Sequence, residues 1–123
     1  TPKNAVLSCI VKYASFHQDF VEGDDAPDGA LRRSQVVELV TKAVSEARKT
    51  SMGTRPFFIF HAATGLRNLG ANAECVEYMR EMLALGVRVD QRSLEAATDA
   101  AEAEADSGAV EEFLEAMEDS GRR

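Results

Sequence analysis

The sequence predicts an all-α fold, a solenoid of about three antiparallel helical hairpins with six helices in total. The strongest observation behind it is a repeat: Met82 and Met117 lie 35 positions apart, as do Gly86 and Gly121. Apolar residues also recur at steps of three and four along the chain, which is the spacing of one helix face. The sequence has only three prolines and so leaves long uninterrupted helical windows. A fixed period in this range is typical of helical solenoids, in which each unit buries its apolar face on its neighbours.

The first part of the single domain, 1–55, predicts a divergent hairpin whose two helices flank an acidic loop. The first helix is expected over about 3–21 and the second over about 30–50. The loop between them, 22–29, combines glycine and proline with repeated acidic side chains, a composition that ends a helix.

The remainder of the chain predicts two further hairpins, 56–90 and 91–123. Their helices are expected over about 56–69, from the Asn72 cap up to Gly86, and over about 91–105, with a last helix that ends near 119. Side-chain N-caps are expected at Thr54, Asn72, Asp90, and Asp106 or Ser107. The inner face of the helix over 56–69 is expected to consist of Phe57, Ile59, Phe60, Ala63, Leu66 and Leu69.

The units 56–90 and 91–123 resemble pentatricopeptide repeats. In both, a Met is followed four residues later by a Gly at the end of the second helix. The first unit also has Gly70 between its helices and closes with the run Leu85-Gly86-Val87-Arg88-Val89-Asp90. The resemblance covers 68 of the 123 residues. It implies a right-handed α-solenoid, the architecture that pentatricopeptide and tetratricopeptide repeats share.

The resemblance also implies a function, because repeats of that family read single-stranded RNA one base at a time. They use the fifth residue of the first helix and the last residue of the unit. These positions correspond to Phe60 and Asp90 in the first unit and to Glu95 in the second. The alternative hypothesis is therefore an RNA-binding module of an organellar gene-expression machine. The basic residues that would support it include Arg32, Arg33 and Lys49.

The charge distribution favours a protein-binding scaffold instead. The chain has a formal net charge of −7, and positions 56–123 contain 6 basic and 14 acidic side chains. Such a surface repels the phosphate backbone of a nucleic acid, so RNA is the disfavoured partner. We expect a non-catalytic accessory or structural subunit that binds other protein subunits of a larger assembly. The aromatic residues expected to anchor a partner are Phe16, Phe20, Phe57 and Phe58.

The sequence contains no constellation that indicates catalysis, and we expect neither enzyme activity nor a metal or cofactor. His17 and His61 each lack a second His or Cys at the spacing of metal ligands. Cys9 and Cys75 lie on apolar stripes and are expected to be buried thiols rather than a disulfide. No apolar run approaches the roughly 18 residues of a membrane-spanning helix.

The chain opens on Thr1, without an initiator Met. This start fits a protein of a chloroplast or mitochondrion from which a transit peptide has been removed, and it equally fits part of a longer chain. The family resemblance favours the organellar interpretation.

Overall fold

The computed structural model describes residues 9–12 and 33–121, and every regular element in these ranges is helical. Residues 9–12 form a helical segment, and five helices follow it. These are α1 (Arg33–Arg48), α2 (Pro56–Asn68), α3 (Asn72–Ala84), α4 (Gln91–Ala103) and α5 (Ser107–Gly121). A 3₁₀ turn, Ser51–Thr54, joins α1 to α2. The described ranges contain six helical segments and no strand, which confirms the all-α expectation.

The 35-residue period of the sequence reappears in the backbone. Helices α2 and α4 begin 35 residues apart and end 35 residues apart, and α3 and α5 also begin at that offset. The hydrogen bond that closes α2, from Ala71 N to Leu66 O at 2.9 Å, is matched by one from Asp106 N to Ala101 O at 3.0 Å. The two units therefore share one backbone register.

The same turn geometry ends α2, α3 and α4. In each case a residue in the left-handed conformation follows the helix, at Gly70 (φ 78°), Gly86 (φ 78°) and Ala105 (φ 55°). The next N–H then donates back to a carbonyl five residues earlier, which is the hydrogen bond of a Schellman motif. Glycine adopts this conformation without a Cβ penalty, whereas Ala105 pays it.

The helices pack on their chain neighbours, and α4 also contacts α2 across α3. Helix α1 lies against α2, α2 against α3, and α5 against α4. Three buried residues of α1 lie 35 positions before three buried residues of α3: Val40 before Cys75, Val44 before Met79, and Ala47 before Met82. The largest fully buried side chains include Tyr78, Phe58, Phe113, Ile59, Leu66, Met79, Met82 and Leu94.

The 3₁₀ turn is attached to α3 by one buried hydrogen bond. The Tyr78 hydroxyl donates to the carbonyl oxygen of Gly53, and both residues are buried. A Cβ on Gly53 would lie 2.7 Å from the Ala47 carbonyl oxygen, so only glycine fits between this turn and the end of α1. The hydrogen bond to Tyr78 and the close approach of Gly53 to Ala47 together fix α1 relative to α3.

The N-cap prediction was correct for Asp106, because Ala109 N donates to Asp106 Oδ1 at 3.1 Å. It was wrong for the other sites. Arg55 and Ala71 occupy the N-cap positions of α2 and α3, and neither makes a side-chain cap bond. The cap positions lie one residue away from the expected Thr54 and Asn72, since Pro56 sets the first turn of α2 and Asn72 is already helical.

Asp90 does occupy the N-cap position of α4, but its carboxylate does not cap the backbone. It accepts a hydrogen bond from the Ser93 hydroxyl instead. Thr54 donates its hydroxyl to Ser51 O at 2.9 Å, within the 3₁₀ turn.

The two cysteines differ in their surroundings, and both are free thiols. Cys75 is buried as expected, and its thiol donates to Ala63 O at 3.4 Å. Burial raises the pKa of the Cys75 thiol to about 12. Cys9 is exposed, so the expectation of a buried thiol was wrong there: its side chain lies on the outer side of the turn that buries Val11.

Candidate partner-binding surface

An exposed aromatic side chain lies in the first turn of α2. Phe57 is 56% exposed, whereas Phe58, Tyr78 and Phe113 are at most 1% exposed. Phe60, one turn further along α2, is half-buried. The helix period explains the difference, because Phe58, like Ile59 and Leu66, points into the core, while Phe57 and Phe60 lie towards the opposite side.

Two cationic side chains lie over these rings. Lys12 Nζ is 5.9 Å from the centre of the Phe57 ring, and Arg92 Cζ is 4.5 Å from the centre of the Phe60 ring. Both distances are within the range of a cation–π interaction. Lys12 belongs to the helical segment 9–12 and Arg92 to α4, so three separate parts of the chain form one surface. We call Lys12, Phe57, Phe60 and Arg92 the aromatic patch.

His61 lies beneath the aromatic patch. Its ring centre is 4.3 Å from that of Phe57 and 5.1 Å from that of Phe60, and the side chain is 4% exposed. Burial lowers the pKa of His61, and the positive charges of Lys12 and Arg92 lower it further. The imidazole is therefore neutral at pH 7 and can pack between the rings without adding a charge.

The predicted partner anchors fall into three groups. Phe57 lies on the surface, so it was wrongly placed on the inner face of its helix. Phe58 is buried against Tyr78, with ring centres 6.5 Å apart, so it belongs to the core and was wrongly placed among the surface anchors. Phe16 and Phe20 lie outside the described residues. The four adjacent apolar residues Phe57-Phe58-Ile59-Phe60 hide the phase of the helix, which explains the error.

The residues that the RNA hypothesis assigns to base reading make contacts within the chain. One face of Phe60 is covered by Arg92, and the exposed Asp90 holds Ser93. Glu95 is exposed and accepts a hydrogen bond from Gln91 Nε2 at 3.3 Å. Of the basic residues, Lys49 is exposed and pairs with Glu46 at 3.4 Å, and Arg33 begins α1, while Arg32 lies outside the described residues.

Sequence reasoning missed the two cations of the aromatic patch. Arg92 lies 32 residues after Phe60, which is one helical turn short of the 35-residue period. That offset places the two on adjoining faces of α2 and α4, so the repeat alone could have found Arg92. Lys12 has no such signal, because its position over Phe57 depends on how the helical segment 9–12 packs.

Other arginines connect the helices through ion pairs. Arg48 of α1 pairs with Glu81 of α3, and Arg67 of α2 pairs with Asp99 of α4 at 3.2 Å. Arg80 of α3 contacts Glu112 of α5 at 3.0 Å. Because these pairs are partly exposed, each contributes little to the free energy of unfolding. Their main effect is on which helices pack against each other.

The described part of the chain contains no group of three His, Cys, Asp or Glu side chains that could hold a metal ion.

A surface depression of about 580 Å³ lies between α3 and the turn before α5, and Arg80 and Asp106 are among its lining residues. A second, of about 270 Å³, lies between the loop at Val87 and α5.

Within the described ranges, no helix combines the length and the apolar character needed to cross a bilayer. Comparison of the chain with models of protein families, with curated proteins and with solved structures gives no match.

Proposed function

We propose that this chain is a non-catalytic protein-binding scaffold, an accessory subunit of a larger assembly in a chloroplast or mitochondrion. In this proposal its helices form a right-handed α-solenoid of hairpins, and the aromatic patch contacts a partner subunit. The observation that carries the proposal is the 56% exposure of Phe57. Aromatic side chains are enriched among the residues that anchor protein interfaces, and Phe57 shares its surface with Phe60 and two cationic side chains.

The helix contacts support the solenoid part of the proposal. Helix α4 packs against both helices of the preceding pair, α2 and α3. The shared hydrogen bonds at the ends of α2 and α4 give the two units the same turn geometry. Repetition of one packing step along a chain is how a solenoid grows.

The surroundings of Phe57 support the binding part of the proposal. Lys12 and Arg92 line the aromatic patch, and aromatic and arginine side chains together are enriched where interfaces contribute most binding free energy. The buried, neutral His61 packs edge-on against the rings of Phe57 and Phe60. A partner would thus meet an apolar anchor flanked by two positive charges.

Co-purification of affinity-tagged variants tests this function. The wild-type chain should recover stoichiometric partner subunits, and Phe57→Ala should lose most of them because the anchor is removed. Leu39→Ala is the matched control, since Leu39 is also exposed, at 47%, but lies on α1. Equal recovery by the wild type and Phe57→Ala would refute the assignment of the patch as the partner surface.

One observation favours a second candidate, single-stranded RNA binding. Arg92 lies over the ring of Phe60, which occupies a base-reading position in the pentatricopeptide-repeat resemblance, and aromatic rings with arginine also form stacking platforms for bases. Filter binding to random single-stranded RNA across a salt series tests this candidate. Steep loss of affinity with salt, together with weaker binding by Arg92→Ala, would favour it over the scaffold.

A further inference from the structure

The groove between α4 and α5 is uncovered where the preceding groove is filled. Leu114 of α5 is 51% exposed, whereas Met79, the residue 35 positions earlier in α3, is fully buried. Helix α4 packs on α3 and α2 and thereby fills the groove between them. Nothing among the described residues covers Leu114 in the equivalent way.

The packing of α4 shows what kind of helix such a groove accepts. Helix α4 presents a stripe of one leucine and small residues, and Leu94, Ala97 and Ala101 are all at most 1% exposed. At its edges it makes polar contacts with α2: Arg92 lies over Phe60, and Asp99 pairs with Arg67. A helix face of one leucine and small residues, with charged edges, is therefore sufficient to fill the groove.

The 35-residue register gives the residues that line the uncovered groove. Glu95 takes the position of Phe60, and Glu102 takes the position of Arg67. On the other wall, Glu111 takes the position of Val76, which is 6% exposed in the filled groove. All three glutamates are exposed. An apolar centre at Leu114 is thus bordered by carboxylates on both sides. We call Glu95, Glu102, Glu111 and Leu114 the α4/α5 groove.

We propose that the α4/α5 groove binds a basic amphipathic helix of a partner protein. The small apolar stripe of that helix packs on Leu114, and its Lys or Arg side chains pair with Glu95, Glu102 and Glu111. The inference rests on the proposed scaffold function and names a second surface and a class of partner for it. Its centre, Leu114, lies on α5, whereas the aromatic patch is formed by α2 together with Lys12 and Arg92.

Charge complementarity selects this occupant over the alternatives. A second copy of the chain would bring a net charge of −7, and α5 itself has acidic but no basic side chains. A nucleic acid would bring its phosphates against the same glutamates. A basic helix gains both the apolar burial at Leu114 and the attraction of the carboxylates.

A synthetic peptide provides the test. It has the sequence of residues 91–105 with Glu95, Asp99 and Glu102 replaced by lysine, and the unmodified acidic sequence serves as the control peptide. Each peptide is titrated into the isotope-labelled full chain, and amide chemical shifts are followed by NMR. We expect the lysine peptide to shift amides of α4 and α5 and to bind more weakly as salt is raised. The acidic peptide should bind much less.

Variants of the chain locate the site. Leu114→Ala should weaken binding of the lysine peptide about tenfold, because most of one leucine side chain is no longer buried. Glu102→Lys should also weaken it, whereas Leu39→Ala should not change it. The circular dichroism of each variant should match that of the wild type, since all three sites are exposed.

Shifts confined to other helices, no binding, or equal affinity for wild type and Leu114→Ala would overturn the inference. Concentration-dependent dimerisation that protects Leu114 would also overturn it, in favour of self-association. The scaffold function is tested separately by Phe57→Ala, so either proposal can fail without the other.

Discussion

Ala105 adopts the left-handed conformation that Gly70 adopts one repeat earlier. Exchanging alanine and glycine at these two positions therefore measures the free-energy cost of a Cβ in this conformation. A non-glycine residue there costs about 1–2 kcal/mol, part of which the greater backbone freedom of an unfolded glycine offsets. Ala105→Gly should therefore raise the free energy of unfolding by about 0.5–1 kcal/mol.

Gly70→Ala is the reverse change, and a Cβ there would meet no atom within 4 Å. It should lower the free energy of unfolding by about 1 kcal/mol, through the backbone alone. Denaturant titration of both variants measures the two values. Changes of the same sign would show that the two turns are not equivalent.

His61 should make the stability of the fold depend on pH. Its folded pKa lies below the unfolded value of about 6.5, so the unfolded chain takes up a proton first as the pH falls. Above about pH 6.5 both states are neutral at His61 and its contribution is constant. Below that value the free energy of unfolding should fall until the pH passes the folded pKa.

The variant His61→Gln removes this titration while the acidic residues remain. Between about pH 7 and pH 5 the free energy of unfolding should fall more steeply for the wild type than for the variant. An NMR titration should also give His61 a pKa below the ordinary value. Identical pH dependence in the two proteins would contradict the burial of a neutral imidazole under the aromatic patch.

At the scale of the element, the 3₁₀ turn Ser51–Thr54 connects α1 to the rest of the stack through Tyr78. Tyr78→Phe leaves the buried Gly53 carbonyl without this donor and should lower the free energy of unfolding by about 1–3 kcal/mol. Thr41→Val is the control, because the Thr41 hydroxyl donates only within α1, to Val37 O at 2.8 Å and to Glu38 O at 3.1 Å.

Chemical denaturation of both variants measures the difference. A loss no larger for Tyr78→Phe than for Thr41→Val would show that the turn is not attached to α3 through this bond. Hydrogen exchange should also be faster in α1 of Tyr78→Phe if α1 separates from α3 more easily.

The helices of the second half could be predicted because their signals are local. The helices expected over 56–69, up to Gly86 and over 91–105 end within two residues of the observed ends of α2, α3 and α4. The glycines that end α2 and α3 reveal their left-handed conformation in the sequence. Ala105 does not, since only its place one period after Gly70 indicates it.

The aromatic patch could be predicted only in part. Four consecutive apolar residues do not determine which of them face the core, so Phe57 was wrongly expected on the inner face of its helix and Phe58 wrongly among the exposed anchors. Lys12 reaches Phe57 through a contact between distant parts of the chain, and no local pattern contains it. The prediction of side-chain N-caps failed for a related reason. A shift of one residue at a turn changes which side chain lies next to the first N–H groups of the following helix.

At the scale of the whole molecule, two surfaces of different charge lie on the same set of helices. The aromatic patch carries Lys12 and Arg92 over its rings, whereas the α4/α5 groove is bordered by glutamates. Arg48, Arg67 and Arg80 are engaged in ion pairs between helices. A scaffold with one aromatic and one acidic surface can hold two different partners at once.

The central claim is that this chain acts as a subunit bound to another macromolecule. The most direct measurement is the native mass of the untagged chain in an extract of its source cells at physiological salt. The scaffold proposal predicts that it migrates in an assembly far larger than a single copy of the protein. Migration of the whole population at the mass of a single copy would contradict it.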